Sequence, residues 1–292
     1  MHCELIQAGE LQAVIGDASR NGAGGTQYCG VWSLTSAHRV FNAFGNSYAG
    51  LIPGEIRGKA PALRPVDNAT VQLWRKADET WPVDAVATYR VRAPYYLDHE
   101  LVVTDREDVR RRTADISFRE ISWCCYMNCP EDSRIHYLSN GEWHRYLSPQ
   151  HGKGSRMAPT YVPADQIEKI PPDAKPFHMH WYARGFDEPF YYGRVGPMVL
   201  ILIFDQPRAL RFFMSPSGGG NSLRADGVGG NAYELDEKGA LRHPQWHCPA
   251  WDFLWVIPDR DYRVGQEYKF RVRLVYKVYV SDEDVLAEVK RC

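Results

Sequence analysis

"EYKFRVRLVYKVYV", residues 267–280, alternates along its whole length. Tyr268, Phe270, Val272, Leu274, Tyr276, Val278 and Val280 fall on one side of an extended chain. Glu267, Lys269, Arg271, Arg273 and Lys277 fall on the other. A period of two is the signature of a β-strand with one face in a core and one in water. Such half-wet strands belong to antiparallel sheets, because parallel sheets are covered on both faces. This segment therefore predicts a long antiparallel strand.

Working outward, the same pattern recurs. "VDAVATYRV" (83–91) sets Val83, Ala85, Ala87, Tyr89 and Val91 against Asp84, Thr88 and Arg90. Further strands are predicted at 28–34, 69–75, 95–104, 116–127, 134–138, 176–183, 197–205, 208–214 and 251–257, separated by Gly, Pro, Asn and Asp clusters. Helical signals are few. "SDEDVLAEVKR" reads as a short capped helix, with Ser281 at the N-cap and acids in the first turn, and "PADQIEKI" (163–170) is a second candidate. Strands do not alternate with helices, which excludes a parallel nucleotide-binding sheet. The expected fold is all-β: one large antiparallel β-sandwich over residues 1–292, with long loops at 147–175 and 215–231.

Composition narrows the function classes. Of 292 residues, 44% are hydrophobic, enough for a sizeable core, and the formal net charge is −1. Near-neutrality gives no electrostatic footprint for nucleic acid. The longest apolar run, "VLILIF" (199–204), has strand length and is far too short to cross a bilayer as a helix. The start, "MHCELIQAGE", lacks the basic and apolar regions of a secretion signal. Seven cysteines cannot all pair, so reduced thiols in a cytoplasmic protein are expected. Familiar catalytic motifs fail: "NGAGGTQYCG" (21–30) lacks dinucleotide spacing, and G-x-S-x-G and H-E-x-x-H are absent.

The candidate chemistry lies elsewhere. "KPFHMHWYARGFD" (175–187), taken as a strand, puts His178, His180 and Tyr182 on one face and Phe177, Met179 and Trp181 on the other. Histidines at this spacing suit acid–base work near neutral pH, or metal binding with a third ligand, for which His136 is the first choice. A divalent metal is thus one possible cofactor. "YYLDHEL" sets Tyr96, Asp98 and Glu100 against Leu97, His99 and Leu101. In "HPQWHCPAWDFLWVIP" (243–258), Asp252 faces away from Trp251, Phe253 and Trp255; an acid inside an apolar strand needs a partner or a role. "NAFGNSYAGLIPGEIRG" (42–58) offers Asn46, with Glu55 and Arg57 sharing a strand face as a carboxylate and an anion-binding group. "WCCYMNCPEDSRIHYLSNGEWHRY" reads as a hairpin turning at "SNGEW" and carrying Asn128, His136 and His144.

The run of antiparallel strands, "GNSYAGL" near the start and "PAWDFLWVIPDRDYRVGQEYKFRVRLVYK" near the end together resemble the galactose-mutarotase-like β-supersandwich group. That group includes aldose epimerases and domains of glycosidases and polysaccharide lyases. The resemblance implies a concave sheet able to hold a sugar. Its histidine in an H-P-Tyr/Phe context has no counterpart here, since the one H-P, at His243, continues "QW". The expected function is acid–base chemistry on a sugar or glycoside, of epimerase, lyase or hydrolase type. Its residues are His178 or His180 as acid or base, and Glu55, Asp98 or Asp252 as carboxylate partner. Arg57, Asn46 and Asn128 would bind polar groups, with Trp181, Tyr182 or Trp246 as a stacking platform. A non-catalytic sugar-binding protein and a His-x-His metal enzyme are the alternatives.

Overall fold

The structure, a computed structural model, describes residues 2–18, 28–45, 49–59, 61–112, 117–128, 130, 132–146, 186–207, 210–215 and 249–292. Strands β1 (Cys3–Ala8), β2 (Leu11–Gly16) and β3 (Gly30–Ser36) form a three-stranded antiparallel sheet. Gly9 turns β1 into β2 at φ 58°, and a Cβ there would lie 2.4 Å from the Pro94 carbonyl oxygen.

The chain then passes between two larger sheets. β4 (Ile52–Pro53) joins the smaller one, while β5 (Ala62–Asp67), β6 (Thr70–Arg75), β7 (Val83–Arg92) and β8 (Tyr96–Asp105) meander through the larger. β9 (Arg111–Arg112) and β10 (Ser117–Cys124) return to the smaller sheet. The hairpin β11 (Ile135–Ser139) and β12 (Glu142–Tyr146), then β13 (Phe190–Val195) and β14 (Met198–Phe204), extend the larger. β15 (Leu210–Ser215) and β16 (Ala250–Pro258) complete the smaller, and β17 (Glu267–Val278) lies inside the larger. The nine-stranded order is β12-β11-β13-β14-β17-β8-β7-β6-β5, and the five-stranded order is β15-β16-β10-β4 with β9 on β10. Every pairing is antiparallel.

The segment 267–280 has the predicted register. Phe270, Val272, Leu274 and Tyr276 are buried between the sheets, while Arg271 and Arg273 face out and pair with Glu100 and Asp98 on β8. The inward face ends at Tyr276: Val278 and Val280 are exposed, because the core stops there. Aromatic rings fill the gap between sheets. Trp123 stacks on Phe253 at 5.1 Å, and Trp255 meets Phe270 at 5.0 Å. Each such side chain contributes roughly 1.5–3 kcal/mol through burial.

A hydrogen bond between an indole and an imidazole crosses that core. Trp123 Nε1 on β10 donates to His99 Nε2 on β8 at 2.9 Å, and His99 Nδ1 lies 3.1 Å from the Thr88 carbonyl. The imidazole therefore carries its proton on Nδ1. Burial pushes its pKa down to about 3, so it stays neutral.

Helix α1 (Asp282–Val289) begins as predicted, with the Ser281 hydroxyl accepting from the Asp284 N–H at 3.2 Å. Val285, Leu286 and Val289 cover Phe190, Tyr192, Val199, Ile201 and Val275 on the outer face of the large sheet. The predicted Asn-Gly turn is also present: Asn140 and Gly141 take φ 54° and 74° between Ser139 and Glu142. β1, β2, β4, β5, β9 and β13 fall outside the predicted strands, being short or lacking clean alternation. The predicted strand 176–183 and helix 163–170 lie outside the described residues.

Candidate active site

The two faces of β10 and β16 differ in kind. Arg119, Ile121 and Trp123 on β10 point into the core beside Phe253 and Trp255 of β16. Glu120, Ser122 and Cys124 point to the opposite face with Asp252, Leu254 and Val256. The sequence placed Asp252 opposite the tryptophans, and it is there.

Asp252 is the most chemically loaded residue on that outer face. Its Oδ1 accepts from the Cys125 N–H at 2.8 Å, and the residue is buried. Burial raises its pKa to about 7, against the opposing pull of the Cys125 amide and the Arg57 charge. Trp251 N–H donates to Cys125 O at 2.8 Å, which sets Cys124 across from Asp252.

Arg57 reaches the same place from the 54–58 turn. Its guanidinium lies over the Tyr28 ring at 4.8 Å, donates to the Tyr28 hydroxyl at 3.0 Å and meets Cys124 Sγ at 3.2 Å. Tyr28 and Tyr126 stack at 5.3 Å with hydroxyls 3.5 Å apart. Burial pushes the Cys124 thiol up to about 12, with the Asp252 charge adding to the rise, so it is no thiolate nucleophile. The assembly is a near-neutral carboxyl, a guanidinium and two phenols: one group to move a proton and three to hold oxygen atoms.

The other candidates are dispersed. Glu55 does not share a strand face with Arg57, because 54–58 is a turn that aims the two side chains apart. Glu55 points inward, where its oxygens accept from Arg119 at 2.7 and 3.1 Å, and Asp105 takes the remaining Arg119 donors at 2.8 and 3.0 Å. Asp98 sits on the outer face of the large sheet, held by Arg273 at 2.6 and 3.0 Å and by Arg92 at 2.9 Å. It lines a groove of about 410 Å³ with Arg90, Glu100 and Arg271.

Asn128 is not part of the predicted hairpin. It ties to the 42–43 segment, its amide donating to Asn42 O at 3.0 Å. His136 is on β11, 4.7 Å from the Tyr192 ring centre and 3.9 Å from Asp132, and burial lowers its pKa. Among the described residues no cluster of three His, Cys, Asp or Glu assembles to hold a metal. His178, His180, Trp181, Tyr182, Trp246 and Asn46 lie outside the described residues.

The architecture has known likenesses. A galactose mutarotase-like protein from Lactobacillus casei ATCC 334 is similar with TM-score 0.48 and 8% identity, over 94% of this chain and 100% of that one. The aldose epimerase homologue from C. elegans is similar with TM-score 0.46 and 11% identity, over 95% and 100%. Both likenesses are of strand arrangement. No family model matches the sequence, and no curated protein does. No helix among the described residues is long and apolar enough to cross a membrane.

The sequence singles out Asp252 and Arg57 but not Tyr28, Cys124 and Tyr126, which the structure sets beside them. Glu120 sits beside Arg119 in "SFREISWCC", so the sequence reads there as an adjacent charged pair in a strand and not as a lone acid among apolar residues. The Tyr28–Tyr126 contact joins residues 98 positions apart, and no local pattern announces it.

Proposed function

We propose that this chain is a carbohydrate-active enzyme in which Asp252 acts as general base on a sugar hydroxyl, with Arg57 holding a ring or anomeric oxygen. The observation that carries the reading is a buried carboxyl set among a guanidinium and two phenols, its pKa raised by burial to about 7. A base is most effective when its pKa lies near the working pH, and such tuning by burial is how carboxylates reach that range. The sugar comes from the sequence resemblance to the mutarotase-like group. The groups beside Asp252 agree with it, since a guanidinium and phenols suit a ligand dense in hydroxyls. Proton transfer that interconverts sugar anomers is the simplest chemistry this set performs; hydrolysis needs a second carboxyl close by, and Glu55 and Asp98 are committed elsewhere.

The test is polarimetry of freshly dissolved α-glucose and α-galactose with the purified protein across pH 5–9. Activity is expected to rise through a limb near pH 7. Arg57→Met is expected to slow the reaction and move the limb upward, because the guanidinium charge opposes the rise in the Asp252 pKa. A rate equal to the spontaneous one at every pH would sink the proposal.

A further inference from the structure

The groove of about 410 Å³ on the outer face of the large sheet has no part in the chemistry at Asp252. Its floor is β8 and its walls are β7 and β17. Asp98 and Glu100 on β8 are short side chains. Arg90 and Arg92 on β7 and Arg271 and Arg273 on β17 are long, so the arginines stand higher on either side. The volume lies within the range of small-molecule sites, roughly 300–1,000 Å³.

The charges in the groove do not cancel. Asp98 takes two arginines, Arg273 at 2.6 and 3.0 Å and Arg92 at 2.9 Å. Glu100 takes Arg271 through Nε at 2.7 Å. Asp205, just past β14, accepts from the Arg271 backbone N–H at 3.2 Å, and burial raises its pKa. Arg90 is level with Asp98 in the register, yet it forms no ion pair among the described residues, because Asp98 is already occupied. Its Nε donates to Thr70 Oγ1 at 3.0 Å, which leaves its two terminal nitrogens without a partner among the described residues. Four arginines thus stand against three acids, and donors outnumber acceptors.

An excess of donors suits an acceptor-rich ligand. A neutral sugar stacks on an aromatic face, and the rings that line the groove, Phe204 and His99, are buried. A carboxylate brings one charge and two coplanar oxygens. A phosphate monoester brings about two charges near neutral pH and three oxygens, enough to engage two guanidiniums at once. Arg90 and Arg92 stand two residues apart on one face of β7, ~7 Å along the strand, close enough for long side chains to share one such group. We propose that the groove is a binding site for a small phosphate monoester, its phosphate held by Arg90 and Arg92. The site is on a different sheet from Asp252 and is independent of the base assigned there.

The test is calorimetric titration at low ionic strength with glucose 6-phosphate, inorganic phosphate, glucuronate and glucose. The proteins are wild type, Arg90→Gln, Glu100→Gln and Arg57→Met. Arg90 is exposed and Glu100 partly so, and both groove variants are expected to melt at the wild-type temperature. Glucose 6-phosphate binds wild type, and inorganic phosphate and glucuronate bind more weakly. Arg90→Gln weakens glucose 6-phosphate about tenfold, the worth of one charge-assisted hydrogen bond, and leaves any binding of glucose as it was. Glu100→Gln strengthens it about threefold, because a repelling carboxylate is gone and Arg271 is released. Arg57→Met leaves it unchanged. Glucose 6-phosphate that binds no more tightly than glucose, glucuronate or free phosphate overturns the assignment. So does binding that is lost in Arg57→Met but kept in Arg90→Gln, which would place the phosphate beside Asp252, and so does a Glu100→Gln variant that binds more weakly.

Discussion

β10 carries Arg119 and Glu120 side by side, one on each face of the sheet, and the two are treated oppositely. Arg119 is buried between Glu55 and Asp105, with Nε, Nη1 and Nη2 all donating, Nη1 also to the Glu120 carbonyl. Across the sheet, Glu120 keeps an oxygen unmet among the described residues, and burial raises the Asp252 pKa to about 7. A buried charge that completes its hydrogen bonds within the protein serves the fold. One left incomplete costs stability, and a ligand or a proton is what completes it.

The hardest test of this contrast is Arg119→Met. It leaves two buried carboxylates without their cation, and a loss of about 3–5 kcal/mol is expected. Urea denaturation should show the midpoint falling with little change in slope. A loss below 1 kcal/mol would mean that water already reaches the triad, and the contrast between the faces would collapse.

Asp252→Asn should behave in the reverse sense. Activity is expected to fall about 10²–10⁴-fold, the usual contribution of a positioned base. Stability should rise, and the direction depends on pH. The folded pKa lies near 7 against 3.8 for an ordinary Asp, so the folded state holds a proton that the unfolded chain releases. Wild-type stability from this residue is therefore full below about pH 4 and is lost as pH rises toward 7. The amide removes that penalty, worth up to about 4 kcal/mol at pH 8 and little at pH 4. Melting curves at the two pH values separate the cases, and a variant less stable at pH 8 than wild type would make Asp252 a structural acid like Asp105.

His99 sharpens the same comparison from inside the core. Its folded pKa near 3 lies below the ordinary 6.5, so the unfolded chain takes up a proton that the folded one refuses. Its contribution is intact above about pH 6.5 and is lost as pH falls toward 3, opposite to Asp252. In an Asp252→Asn background, acidification from pH 7 to 5 should cost about 2 kcal/mol through His99. Adding His99→Gln should flatten that slope while lowering overall stability, because the Trp123 hydrogen bond is disturbed. An unchanged slope would mean that another group carries the acid sensitivity.

The fold was legible wherever alternation ran long, as at 83–91 and 267–280, because one wet and one dry face force a period of two. It was not legible at β1 and β13, where burial on both faces or an exposed edge blurs the pattern. Asp252 could be singled out in the sequence because an acid among tryptophans breaks a local rule. The Glu55–Arg119–Asp105 triad could not, since its members are 50 and 14 residues apart in sequence and only sheet packing joins them. Glu55 and Arg57 read as partners because the spacing says strand, whereas 54–58 is a turn in which the Ile56 and Arg57 N–H groups donate to the Pro53 carbonyl.

Asp98 gives the smallest effect and the clearest control. It has the composition of a catalytic acid beside Glu100, yet each of the two has an arginine across the strand pair. Its side chain is 25% exposed, so its ion pairs with Arg273 and Arg92 are screened by water. Asp98→Asn is expected to lower stability by about 0.2–1 kcal/mol, less at high salt, and to leave polarimetric rates unchanged. A loss of activity would locate chemistry in the groove on the large sheet and would shift the assignment away from Asp252. An unchanged rate would instead fix the distinction on which the assignment stands. Two acids equally conspicuous in the sequence differ in setting: one is matched by arginines in water and the other is buried with its charge only partly compensated.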